Sequence, residues 1–235
     1  MIISHTHKFI LIKSVKTAGT SVEAALSNCC SGSDVVTPLN DFPFNRDEKG
    51  VAVHRAMNAE TLSWWNREIG QHVDALTLQS KLPEDVWSGY LKLSIARNPW
   101  DRMVSLFTWN ARNDPAMKPR KRFYHRLGVP FDELREIRRL FSHFLQGEWE
   151  TNDRFYIIDG ELVVDFVIRY EDLARGLDTV RRKLGLPEMT LPRLKTGIRP
   201  GHYHYSQYYD KETKALVAQR HENDIRLFGY KFENA

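Results

Sequence analysis

"KFILIKSVKTAGTSVEAALS", residues 8–27, runs from an apolar stretch through a cluster of small hydroxyl residues into a helical pattern. Phe9, Ile10, Leu11 and Ile12 read as a short buried strand, and Val22, Ala25 and Leu26 recur at helical spacing. Lys16, Thr17, Ala18, Gly19, Thr20 and Ser21 fill the turn between them. Such a turn presents unpaired backbone N–H groups at the positive end of a helix, and the lysine and hydroxyls add further donors. The loop suits a phosphate or a similar oxyanion; a Ser/Thr-rich helix cap without a ligand is the plainer alternative. The nucleotide loop of an NTPase requires Gly, four residues, then Gly-Lys-Ser/Thr. Here Lys16 precedes Gly19 and no glycine lies upstream, so that pattern fails.

The chain has 235 residues, enough for one large domain or two small ones with a substantial core. Hydrophobic residues at 42% and charged residues at 27% are ordinary for a globular protein. A formal net charge of +4 fits an anionic ligand but does not demand nucleic acid. No apolar run reaches the roughly 20 residues that span a membrane. The chain enters a strand almost at once, so no secretory signal is expected. The two cysteines, Cys29 and Cys30, are adjacent and give no disulfide framework. A reducing, cytoplasmic setting is the expectation.

Outward from the first loop, residues 31–55 are rich in Gly, Ser, Asp, Asn and Pro and read as loop. A helix is expected from Asn58 to Ile69, and a second buried strand at "YLKLSIA", Tyr90–Ala96. Pro99 ends that strand and opens a helix continued by Met103, Val104, Leu106 and Phe107. Helical period returns over Phe131–Leu145, and "YIIDGELVVDFVIRY" places an Asp-Gly turn between two apolar runs. Glu171–Leu184 reads as a helix ended by Gly185, and a last helix runs from Lys211 to Leu227. Alternating strands and helices imply an α/β domain with a mainly parallel sheet.

A second constellation lies in "LSIARNPWDRMVSLFTW", residues 93–109. Arg97 ends the strand and Ser105 follows eight positions later on the helix. An arginine fork gives two parallel hydrogen bonds to a phosphate, and a serine hydroxyl can add a third. Alone, Arg97 would be read as pairing with a carboxylate at a strand end. Asp101 and Arg102 read as caps or braces of the helix.

Together the two stretches resemble sulfotransferases that use 3′-phosphoadenosine 5′-phosphosulfate (PAPS). "KTAGTS" is similar to that family's 5′-phosphosulfate loop, and "RNPWDRMVS" to its 3′-phosphate motif. The nearest branch is the carbohydrate-type group (family 2), which includes heparan sulfate 2-O-sulfotransferase and many small bacterial relatives. The likeness continues in "VIRYEDL", 167–173, and in 204–232, and is weakest over 111–160. Val15 stands where the family usually has proline. The resemblance implies a single sulfotransferase domain over 1–235, with a P-loop-kinase-like three-layer fold. It implies that Lys16 stabilises charge on the leaving oxygen, while Thr17, Ala18, Gly19, Thr20 and Ser21 cradle the 5′-phosphate. Arg97 and Ser105 would grip the 3′-phosphate. The acceptor would be a hydroxyl of a saccharide or glycan.

No metal is required by that chemistry, and the His pairs at 5–7 and 202–204 lack further ligands. The general base is expected at His54 in "VHRAMNAE", partly matching a His-x-x-Ala-like segment of the branch, with Glu23 or Asp34 as fallback carboxylates. In "RLKTGIRPGHYHY", 193–205, Lys195, Arg199 and Tyr203 are candidates to close over the nucleotide. Trp64, Trp65, Trp109 and Trp149 are candidates to stack on a sugar, although tryptophans at helical positions usually serve the core. Two other readings stand beside these: a nucleotide-dependent phosphotransferase, and a non-catalytic polyanion-binding module using the basic run 118–122.

Overall fold

A computed structural model describes residues 1–31, 33–37, 72–112, 114–119, 125–127, 130–194 and 203–235. Contacts divide the chain into two compact units: Met1–Arg97 with Asn152–Lys195, and Asn98–Thr151 with Thr196–Ala235.

The first unit is built on a sheet of β1 (Ile2–Ser4), β2 (Phe9–Leu11), β3 (Val35–Val36), β4 (Leu91–Ala96) and β7 (Phe166–Arg169), in the order β3-β1-β2-β4-β7. β2 pairs parallel with β4, and β4 with β7, as a buried α/β sheet should. β1, however, pairs antiparallel with both β2 and β3, so the sheet is mixed rather than mainly parallel. The reason is local. Residues 5–8 join β1 to β2, and a parallel neighbour would need a crossover of about a dozen residues. Asp34 holds this reversal, accepting from the Ser4 hydroxyl at 3.1 Å, Thr6 N–H at 3.0 Å and Ser31 N–H at 2.7 Å.

Strand alternation sends Ile2, Phe9, Leu11, Leu93, Ile95 and Ile168 to one face. There they meet Val22, Ala25 and Leu26 of α1 (Gly19–Ser27) and two residues, Leu177 and Val180, of a later helix spanning Leu173–Leu184. Two short helices, α2 (Ala75–Lys81) and α3 (Glu84–Gly89), precede β4; Asp74 caps α2 by accepting from Thr77 N–H at 2.8 Å. The expected Asp-Gly hairpin is present between β5 (Ile157–Ile158) and β6 (Glu161–Leu162), turning on Asp159 and Gly160 at φ 49° and 83°. The apolar run beyond it leaves the hairpin and enters the main sheet as β7. The expected helix 58–69 lies outside the described residues.

The second unit is helical. α4 (Pro99–Ala111) starts at its proline, with Asn98 accepting from Trp100 N–H at 3.1 Å. α5 (Glu133–Leu145) is capped by Asp132. The Leu173–Leu184 helix of the first unit is α6, closed by Gly185 at φ 63° as its sequence implies. The expected last helix is two, α7 (Lys211–Arg220) and α8 (Glu222–Phe228), broken at His221, which bonds Asp224 at 3.1 Å. Phe107, Phe141, Phe144 and Tyr208 pack edge-on or stacked as the aromatic core. Trp149 stacks on Phe144 at 4.0 Å and donates to its carbonyl at 2.7 Å, so this tryptophan serves the core. Arg102, 2% exposed, donates to the Glu150 carbonyl at 3.0 Å, a brace as expected.

Gly19 is the tightest point of α1. A Cβ there would lie 3.0 Å from Lys13 Cδ and closer still to Cγ. Lys13 cannot swing aside, because its Nζ is held 2.5 Å from Glu23 Oε2 and both side chains are fully buried. Gly19→Ala should therefore lower unfolding stability in urea by about 1–3 kcal/mol, the usual cost of overpacking. Gly89→Ala, with nothing within 4 Å of the new Cβ, should be neutral or slightly stabilising in the same assay.

Candidate active site

The parallel strands β2, β4 and β7 deliver their C-terminal ends to one edge of the sheet, where open α/β sheets place ligands. Three groups arrive there: the loop Lys13–Ala18 after β2, Arg97 after β4, and Tyr170 after β7. The first two touch, since Arg97 Nη1 donates to the Lys16 carbonyl at 2.9 Å. The third supports the second, with the Arg97 guanidinium 3.8 Å from the centre of the Tyr170 ring. The Lys16 carbonyl and the Tyr170 ring thus hold the Arg97 guanidinium as a flat fork. Tyr170 lies within "VIRYEDL", yet the sequence alone assigned it no part in the site.

The loop has an unusual backbone. Lys16 and Ala18 both adopt left-handed conformations, φ 63° and 61°, which residues bearing a Cβ rarely take. Four successive carbonyls are each taken by a side-chain donor. Lys13 O accepts from His72 Nδ1 at 2.9 Å, and Ser14 O from Thr17 Oγ1 at 3.3 Å. Val15 O accepts from Asn152 Nδ2 at 3.0 Å, and Lys16 O from Arg97. The Asn152 amide also accepts from Val15 N–H at 3.2 Å. Ala18 opens α1 without any side-chain cap. Among the described residues, no acceptor is found for the N–H groups of Thr17, Ala18, Gly19 and Thr20. Carbonyls held by side chains and amides left unpaired at a helix start form a cradle for an anion.

The candidate residues fare differently within it. Lys16, Ala18 and Thr20 are half-buried, whereas Thr17 is fully buried with its hydroxyl 2.8 Å from that of Ser14. Thr17 can therefore offer an anion its N–H but not its side chain. The Ser21 hydroxyl accepts from Leu194 N–H at 3.2 Å and keeps its own proton. Ser105 lies half-buried on α4 in the second unit, its hydroxyl without a partner among the described residues. Tyr203, also in that unit, donates to Glu133 at 3.3 Å. His54, Lys195 and Arg199 lie outside the described residues.

The fallback bases are committed elsewhere. Glu23 is buried against Lys13, and although burial disfavours its charge, the Met1 amine and Lys13 hold its pKa below the ordinary carboxylate value. Asp34 caps the β1–β2 reversal. His72, which the sequence did not single out, sits beside the loop instead. A carbonyl can only accept, so Nδ1 carries the proton and Nε2 presents its lone pair. Burial, then the Lys13 charge, lower its pKa to about 4, so the ring is neutral at physiological pH. The signal for it is the "HVDA" spacing at 72–75, a His-x-x-Ala segment that "HRAM" at 54–57 matches only in part.

Residues 1–231 match the sulfotransferase family. A protein of Archaeoglobus fulgidus, described as uncharacterized, is 25% identical over 122 residues, covering 52% of this chain and 90% of that protein. No solved structure matches the chain.

Proposed function

The chain belongs to the sulfotransferase family, and we propose that it moves a sulfuryl group from PAPS to a hydroxyl on a saccharide acceptor. Family membership carries sulfuryl transfer in general. The finer reading is supported above all by the loop whose carbonyls are tied back by His72, Thr17, Asn152 and Arg97, leaving amides for a phosphosulfate. The donor, when bound, supplies a sulfuryl group on a phosphate leaving group. Lys16 would meet the charge that grows on the bridging oxygen. The N–H groups of residues 17–20 and the Ser21 hydroxyl would hold the 5′-phosphate. Arg97, stacked on Tyr170, would read the 3′-phosphate; the sequence motif adds Ser105 to that subsite. Lys195, Arg199 and Tyr203 are proposed, from sequence, to cover the nucleotide. The adjacent cysteines, Cys29 and Cys30, are both thiols, in accord with a reducing cytoplasm.

For the acceptor proton, two histidines compete. His54 is the candidate of the sequence pattern. His72 is favoured by its place beside the lysine loop and by a tautomer that leaves Nε2 able to accept.

Calorimetry tests the donor. The 3′-phosphate product nucleotide should bind far more tightly than AMP, since a desolvated charged pair is worth about 2–5 kcal/mol. Arg97→Ala should erase most of the difference; equal affinities in the wild type would sink the assignment.

Lys16→Ala should reduce single-turnover transfer more than it weakens nucleotide binding, because its partner charge appears only during transfer. A saturated mutant that keeps the wild-type rate would remove Lys16 from the chemistry.

The pH profile chooses between the histidines. With His72 as base, activity should persist down to about pH 4, where its lowered pKa places protonation, and His72→Ala should abolish the acid limb. A limb near about 6.5, the ordinary histidine value, that vanishes in His54→Ala assigns the role to His54.

A further inference from the structure

We propose that Asn152 is a positioning residue for the transfer step, holding the peptide that enters Lys16 so that the lysine keeps its left-handed conformation; this rests on the sulfotransferase reading above. The conformation at a Cα is the relative rotation of the two rigid peptide planes that flank it. The plane entering Lys16 carries the Val15 carbonyl, which accepts from Asn152 Nδ2 at 3.0 Å. The plane leaving it carries the Lys16 carbonyl, which accepts from Arg97 Nη1 at 2.9 Å. Each plane is pinned by one side chain from a distant stretch of the sequence. At φ 63° the lysine needs that restraint, because its Cβ disfavours the left-handed basin.

The geometry of Asn152 matches the task. Its side chain is buried, with the residue 2% exposed, and both ends of its amide act on one residue, Nδ2 on the Val15 carbonyl and Oδ1 on the Val15 N–H at 3.2 Å. Only one orientation of the amide satisfies a carbonyl and an N–H together, so the two bonds fix the ring of atoms they close. Its own backbone is anchored where the carbonyl accepts from Phe155 N–H at 3.0 Å, opening the turn Asp153–Phe155. Alanine supplies neither bond, and aspartate supplies an acceptor for the Val15 N–H while setting a carboxylate oxygen against the Val15 carbonyl.

The decisive experiment follows single-turnover hydrolysis of PAPS, in which water forms the new bond to sulfur, the bond from sulfur to the phosphate oxygen breaks, and a proton passes to solvent. Asn152→Ala should slow this step by about 10- to 100-fold at saturating donor, the scale set by small misplacements of a catalytic group. Its affinity for the 3′-phosphate product nucleotide should stay within about threefold, since the amides of residues 17–20 still bind. Because Asn152 acts through Lys16, the double variant with Lys16→Ala should be no slower than Lys16→Ala alone. Asn152→Asp should lower the rate in the same direction and serves where Asn152→Ala does not fold. A folded variant of either kind at the wild-type rate, or one whose loss multiplies with that of Lys16→Ala, overturns the assignment. Failure of the wild type to turn over PAPS removes the sulfotransferase reading itself, whereas wild-type turnover insensitive to residue 152 removes only this inference.

Discussion

Because β2 and β4 run parallel side by side, the chain leaves both strands at the same edge, and the loop carrying Lys16 meets the strand end carrying Arg97. The pairing continues past the last residue of β2. Ile12 N–H donates to the Leu93 carbonyl at 2.8 Å, and the Ser94 hydroxyl donates to the Ile12 carbonyl at 2.9 Å. The Ser14 hydroxyl then reaches the Ile95 carbonyl, stitching the loop itself to β4. A loop fastened at so many points has few conformations left. Its left-handed residues are therefore a property of the packed sheet edge, not of local preference.

Beneath the loop the same economy of space recurs. The stem of Lys13 runs under Gly19, where no Cβ fits, and its ammonium ends on Glu23 of the next turn of α1. A buried pair of this kind adds little net stability over a hydrophobic pair, but losing one partner strands the other charge. Its structural consequence is geometric: strand end and helix start are locked at one distance, which sets the width of the turn between them. Tyr170 plays the equivalent part for Arg97, its ring lying against the guanidinium and fixing the plane of the fork.

The sequence made the strand, loop and helix of residues 9–27 legible because hydrophobic period, small residues and the helix start all agree there. It did so again at Pro99, at the Asp159-Gly160 turn and at Gly185, where a single residue type has one structural meaning. It hid β1, whose three residues are followed by the polar run 5–8, and so it hid the antiparallel half of the sheet. Of the candidate site, Lys16 and Arg97 were singled out from their motifs, and the folded chain brings the two together. Thr17 was read as part of a cradle of backbone and hydroxyl donors; its hydroxyl faces Ser14, which leaves only the backbone share, a distinction no spacing rule carries. Asn152, His72 and Tyr170 were missed for one reason. Each acts on the loop or on Arg97 across a long sequence separation, through a contact that exists only once the sheet edge has assembled.

Two of those residues, His72 and Asn152, act on the loop directly, and Tyr170 acts through Arg97. A peptide unit has its carbonyl and N–H on opposite sides, so the bond that holds the Lys16 carbonyl to Arg97 turns the Thr17 N–H away from Arg97. His72, Thr17, Asn152 and Arg97 hold the carbonyls of residues 13 to 16 in turn. Two of these donors are themselves proposed actors, one reading a phosphate and one accepting a proton. Their bonds to the loop mean that neither can move without moving the peptide next to Lys16 or the strand end before it. The lysine, the arginine and the imidazole are therefore set relative to one another by main-chain atoms of a single short stretch. A reaction that proceeds by placement and charge, with no covalent step on the protein, requires that kind of shared reference frame.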